Sequence, residues 1–136
     1  MNTNYTNNTN NADNKLIYPE LSYILTGILF AVHNELGCYA REKQYADLTE
    51  KKLLAIKILY IRELRIGGSN NIADFLIDNK IILELKAKRI ITKEDYYQMQ
   101  RYLQEANIKL GILVNFRSRY IKPIRIVRID KPNKKY

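Results

Sequence analysis

From Pro19 onward apolar residues recur at steps of three and four: Leu21, Ile24, Leu25, Ile28, Val32 and Leu36. That spacing predicts one buried face of an α-helix. Pro19 and Glu20 suit its first turn, and Gly37 suits its end. His33 lies off the stripe. A second helix is expected over residues 41–55, with Tyr45, Leu48, the stem of Lys52 and Ala55 on one side. At Ile56 the period changes to alternation over a β-branched run, which predicts a strand reaching Ile66. Gly67-Gly68-Ser69-Asn70 reads as a turn. Two strands follow, 72–77 and 81–87, joined around Asp78-Asn79. Thr92, with Asp95 three residues on, opens a third helix whose core stripe is Tyr96, Met99, Leu103 and Ala106. Residues 110–115 form a continuous apolar run, expected as a buried strand, and Ile124, Ile126 and Ile129 suggest a last edge strand. The order α-α-β-β-β-α-β-β predicts an α/β fold, a mixed sheet flanked by helices in one domain.

Length agrees with that picture, since 136 residues suit a single domain with a core of its own. Residues 1–14 carry seven Asn and three Thr and too little apolar surface to offset ordering, so residues 1–17 are expected to be a disordered leader. The folded domain is then 18–130, with a basic tail over 131–136. No apolar run approaches the roughly 18 residues a membrane span needs. The single cysteine, Cys38, suits a reducing cytoplasm and excludes a cysteine-built zinc site. With one histidine, Ser-His-Asp chemistry has little to stand on.

Charge adds a direction. The chain carries a net +9, and residues 109–136 alone hold nine basic groups against Asp130. Two readings stand: a nucleic-acid surface, in which Arg117, Arg119, Lys122 and Arg125 meet phosphates, or a solvated basic tail.

The segment with most chemistry is 71–86. Glu84 and Lys86 are two apart, so a strand turns both to one face, and Asp74 sits on the strand before. Apolar strands rarely carry charges unless something pairs them. Two carboxylates and an ammonium match a divalent cation with an attacking water; they also match a cross-strand salt bridge. The strand register separates these. A two-residue hairpin loop would turn Asp74 away from Glu84. A three-residue loop, Asp78-Asn79-Lys80, pairs Ile77 with Ile81 and sets Asp74 opposite Glu84. The metal reading therefore requires that loop, or an equivalent bulge, with Asn79 tolerating the left-handed backbone such loops use.

Asp74 followed by Glu84-x-Lys86 on the next strand resembles the PD-(D/E)xK nuclease superfamily. Gln98-Met99-Gln100-Arg101-Tyr102 is similar to the Q-h-x-x-Y helix of its RecB-like branch. Residues 18–129 resemble the small bacterial GxxExxY proteins through Ala31–Gly37, Glu42-Lys-Gln-Tyr45, Ile82–Lys86 and Leu110–Phe116, although Tyr39 stands where that signature has glycine. The resemblance implies a restriction-endonuclease-like three-layer sandwich and a Mg²⁺-dependent nuclease, with Mn²⁺ able to substitute, acting on DNA or RNA. It implies that Asp74 and Glu84 bind metal, that Lys86 serves catalysis, and that Gln98 and Tyr102 flank the site. It makes His33 a further metal ligand, against the alternative of a structural histidine. Glu42 and Tyr45 match the signature either as helix packing or as an accessory contact. A homodimer is compatible with this reading. The rivals are an inactive nucleic-acid-binding member of the fold and a partner-binding module.

Overall fold

The computed structural model describes residues 17–68 and 70–130. The expected leader and tail lie outside these, except Ile17, which packs partly against the core instead of belonging to the leader. The described chain runs α1 (Pro19–Leu36), α2 (Glu42–Ala55), β1 (Tyr60–Arg65), β2 (Ile72–Ile77), β3 (Ile81–Lys86), α3 (Lys93–Ala106), β4 (Leu110–Asn115) and β5 (Ile124–Val127). The five strands form one sheet in chain order. Neighbours pair antiparallel except β3 and β4, which run parallel and are joined through α3. A parallel pair requires such a crossover. β4 is buried along its whole length, as its unbroken apolar run requires of a strand covered on both faces.

Alternation divides the sheet's side chains between two cores. Phe75, Ile77, Ile81, Leu83, Leu85, Ile112 and Val114 pack with Leu25, Leu29, Val32, Tyr45 and Leu53 of α1 and α2. Leu76, Ile82 and Leu113 pack with Met99, Tyr102 and Leu103 of α3. The result is the expected three-layer sandwich. Gly111 lets α3 approach β4, because a Cβ there would come closer than 3.0 Å to three atoms of buried Met99.

Several expectations are corrected. On α1, Leu29 is buried and Ile24 is 42% exposed, so the inward face is rotated from the predicted stripe. On α2 the buried residues are Tyr45, Ala46, Thr49 and Leu53, while Leu48 is half-buried and Ala55 exposed. The strand predicted from Ile56 begins at Tyr60: the chain turns at Lys57, whose φ of 60° breaks extension, and Ile56 and Leu59 lie exposed. On α3, Tyr96 is exposed and Tyr102 takes its place in the core. Ile129 lies beyond β5 and is exposed.

Candidate catalytic site

The hairpin between β2 and β3 closes through Asp78-Asn79-Lys80, and Ile77 pairs with Ile81. Both Asp78 and Asn79 are left-handed, at φ 51° and 57°, and Lys80 N–H donates to Ile77 O at 2.8 Å. Asp and Asn tolerate that region because their short side chains bond locally. Continued one step past its last pair, Phe75 with Leu83, this register brings Asp74 level with Glu84.

Sheet pairing lapses where Asp74 sits. The β2–β3 ladder ends at Phe75 and Leu83, one step before Asp74 and Glu84. On the other flank the β1–β2 ladder skips Glu63 and Asp74, and Glu63 adopts φ 59° within its strand. A left-handed glutamate costs about 1–2 kcal/mol, and such positions gather at functional sites. Side chains replace the missing backbone bonds. Glu84 Oε1 accepts the Asp74 N–H at 3.1 Å, and Asp74 Oδ2 accepts the Leu85 N–H at 2.7 Å. Each carboxylate is thus held by a backbone N–H of the opposite strand, Glu84 by that of Asp74 and Asp74 by that of Leu85.

Lys86 completes the group. Its Nζ lies 3.4 Å from Glu84 Oε2 and donates to Gln98 Oε1 at 3.0 Å. Asp95 Oδ1 lies 3.9 Å from the same ammonium, while Asp95 holds Lys88 at 2.9 Å and takes the Thr92 N–H at 2.7 Å. Burial works against the Asp95 charge, yet the Lys88 and Thr92 bonds hold its carboxyl below the usual range. Tyr102, on the same face of α3 as Gln98, donates to Ile72 O at 3.3 Å and fixes the entry of β2. Its phenol is pushed up to about 12 by burial and by the Glu84 and Asp74 charges, so it remains a neutral donor.

Burial raises the Glu84 carboxyl to about 7; the Asp74 charge adds to the rise and Lys86 opposes it. Asp74 rises to about 6, from burial first and the nearby Glu42 charge next, against its bond from Leu85 N–H. Lys86, with Arg62 acting on Asp74, leaves both carboxyls above their ordinary values. A hard cation would compensate them, and oxygen donors from one or two carboxylates, completed by water, are what Mg²⁺ takes. The chemistry of these donors is that of a site for a divalent cation.

The remaining candidates fall in different places. Glu42 is at the site's edge: it accepts the Ala87 N–H at 3.2 Å and lines, with Arg62, Glu63 and Asp74, a pocket of about 270 Å³. Tyr45 is fully buried, stacks on Phe116 at 4.2 Å and donates to Gly37 O at 2.6 Å, which ties the turn between α1 and α2. His33 donates from Nε2 to Ser118 O at 2.9 Å and stacks on Phe116, so it holds the segment after β4. Among the described residues no three His, Cys, Asp or Glu side chains converge as a metal cluster, and His33 is not gathered to Asp74 and Glu84. Arg117 donates to Cys38 O at 2.7 Å and Ala40 O at 3.3 Å; Arg125 bonds Ser22 Oγ and, at 2.7 Å, Ile17 O. Those two guanidiniums brace the fold, while Arg119 and Lys122 are exposed. Sequence reasoning missed Glu63 and the pairing role of Asp95. Asp95 was legible only as a cap, and nothing local marks Glu63, because its partner position comes from another strand.

No described helix is long and apolar enough to cross a membrane. No curated protein and no solved structure matches the chain. The profile of the PD-(D/E)XK nuclease superfamily matches residues 19–128, which contain every element above. That superfamily's chemistry is nuclease-type and generally depends on a divalent metal. On the strength of that match over most of its length, in a restriction-endonuclease-like sandwich, the chain belongs to the PD-(D/E)XK nuclease superfamily.

Proposed function

We propose that the protein hydrolyses phosphodiester bonds of nucleic acid with Mg²⁺, or Mn²⁺ in its place, held by Asp74 and Glu84. One observation carries the reading. The two carboxylates stand where the ladder between β2 and β3 lapses, Glu84 on the Asp74 N–H and Asp74 on the Leu85 N–H, with the Lys86 ammonium beside them. A salt bridge alone does not account for this arrangement. It would need one acid for Lys86, whereas two buried acids are gathered here with their carboxyls raised toward neutrality, at a cost in stability.

The bound metal would supply an activated water and charge neutralisation at the phosphate. Backbone N–H groups orient Glu84 Oε1 and Asp74 Oδ2, and the Lys86 ammonium meets Glu84 Oε2. Lys86, fixed by Gln98, sets a positive charge where a phosphorane-like transition state gains negative charge. Tyr102 keeps β2 in place through Ile72 O, and Asp95 holds the Lys88 ammonium.

Incubation with single- and double-stranded DNA and RNA, in Mg²⁺, Mn²⁺ or EDTA, tests the proposal. Cleavage in either metal and none in EDTA is expected. Binding without cleavage on every substrate would favour the inactive member of the fold instead.

A further inference from the structure

The basic C-terminal cluster does not act as a unit in the fold. Arg117 and Arg125 are bound to backbone carbonyls, and Arg128 pairs with Asp130 at 2.8 Å and Asn107 at 2.9 Å. By contrast, among the described residues no carboxylate pairs with Arg119, Lys122 or Arg89, and all three are exposed. Arg89 comes from a different part of the chain, the connection between β3 and α3. It lines a groove of about 310 Å³ together with Ile90, Asn115, Tyr120 and Lys122.

This groove is joined to the catalytic strands. Asn115 is the register partner of Lys86 across the parallel pair. Its side chain both accepts the Lys88 N–H at 3.1 Å and donates to Lys88 O at 2.8 Å, so it clamps one wall to the end of β4. The other wall follows β4 and is held by His33 through Ser118 O. The groove thus opens at the carboxyl ends of β3 and β4, where open α/β sheets take ligands, and its Asn115 is the strand neighbour of Lys86.

Its surface is aromatic as well as cationic. Tyr120 is 79% exposed, with the Arg119 guanidinium 5.4 Å from its ring centre, and Ile90 is 64% exposed. Phosphates alone would call for cations and give no reason to leave a tyrosine and an isoleucine in water. Unpaired bases do, because every base offers a face to stack, whereas in a duplex those faces are already covered.

We propose that this groove binds a single-stranded segment of nucleic acid, with a base on Tyr120 and phosphates at Arg89 and Lys122, and so makes unpaired strand the substrate class of the adjoining site. The inference rests on the nuclease reading only for the word substrate. The binding itself is measured without metal.

Fluorescence anisotropy of labelled oligothymidylate and of a duplex of equal length, in EDTA, provides the test. Single strand is expected to bind at least about tenfold more tightly than duplex, with Tyr120→Ala losing roughly tenfold and Tyr120→Phe retaining affinity. Lys122→Ala is expected to reduce the salt slope for single strand by about 0.7. Duplex binding as tight as single-strand binding, or Tyr120→Ala indistinguishable from wild type, overturns the proposal. The nuclease reading fails separately, if single strand binds as described and no metal produces cleavage.

Discussion

Raising the pH from about 5 to about 8.5 without divalent metal is expected to weaken the fold by about 3 kcal/mol. The perturbation acts on Glu84 and Asp74. In the fold their carboxyls are raised from 4.5 to about 7 and from 3.8 to about 6, chiefly by burial. A raised carboxyl favours the protonated form in the native state. Its contribution is therefore complete below the unfolded value and is lost as pH climbs through the folded one. The roughly two pH units between the start of the window and the folded value of about 7, at roughly 1.4 kcal/mol per unit, give the 3 kcal/mol, counted once for the pair. Asp47, Glu50 and Asp95 are held below their ordinary values, so their contributions are complete before this window begins. Urea unfolding at the two pH values, in EDTA, reads the loss. Glu84→Gln keeps an oxygen for the Asp74 N–H and removes the titrating charge, so its stability should change by less than half as much. Mg²⁺ at a hundredfold over its Kd should restore about 2.7 kcal/mol to the wild type at the higher pH. Wild-type stability that is flat or rising across the window would refute the reasoning, because the two acids would then be adequately solvated or paired without metal.

Asp74→Ala should abolish cleavage and leave a folded protein, checked by circular dichroism beside the assay. Lys86→Ala should cut single-turnover cleavage by about 10²–10³ and still bind Mn²⁺ by calorimetry, since an ammonium is no ligand; lost Mn²⁺ binding would give Lys86 a different role. His33→Ala should leave Mn²⁺ affinity unchanged and weaken oligothymidylate binding, because His33 bonds Ser118 in the wall of the groove. Gly111→Ala should cost about 1–3 kcal/mol in urea unfolding, from the collision with buried Met99.

The parts of the fold that were legible in the sequence are those set by local chemistry. Pro19 and Gly37 bound α1, Thr92 and Asp95 open α3, and the apolar run 110–115 is the central strand. The hairpin register was legible too, because parity along two strands leaves only one loop length that brings Asp74 to Glu84. What local pattern cannot carry is competition between faces. Ile24 and Leu29 both fit a helical stripe, and only the neighbours of α1 select Leu29. The run from Ile56 reads as strand by composition, but Lys57 turns left-handed and delays β1 to Tyr60. The basic cluster shows the same limit. Arg117 and Arg125 look like Arg119 in sequence, and only the carbonyls of Cys38, Ala40 and Ile17 distinguish them. His33 was likewise read for its metal-binding chemistry, whereas its place is set by Phe116 and Ser118.

The central claim is that Asp74 and Glu84 make a metal-dependent catalytic pair. Single-turnover cleavage of a labelled single strand in Mg²⁺, by wild type and Glu84→Gln purified side by side, tests it most directly. The account predicts cleavage by the wild type that EDTA stops, and a loss of at least about 10³-fold in a variant that still folds and still binds the strand. Equal cleavage by the two proteins would contradict it.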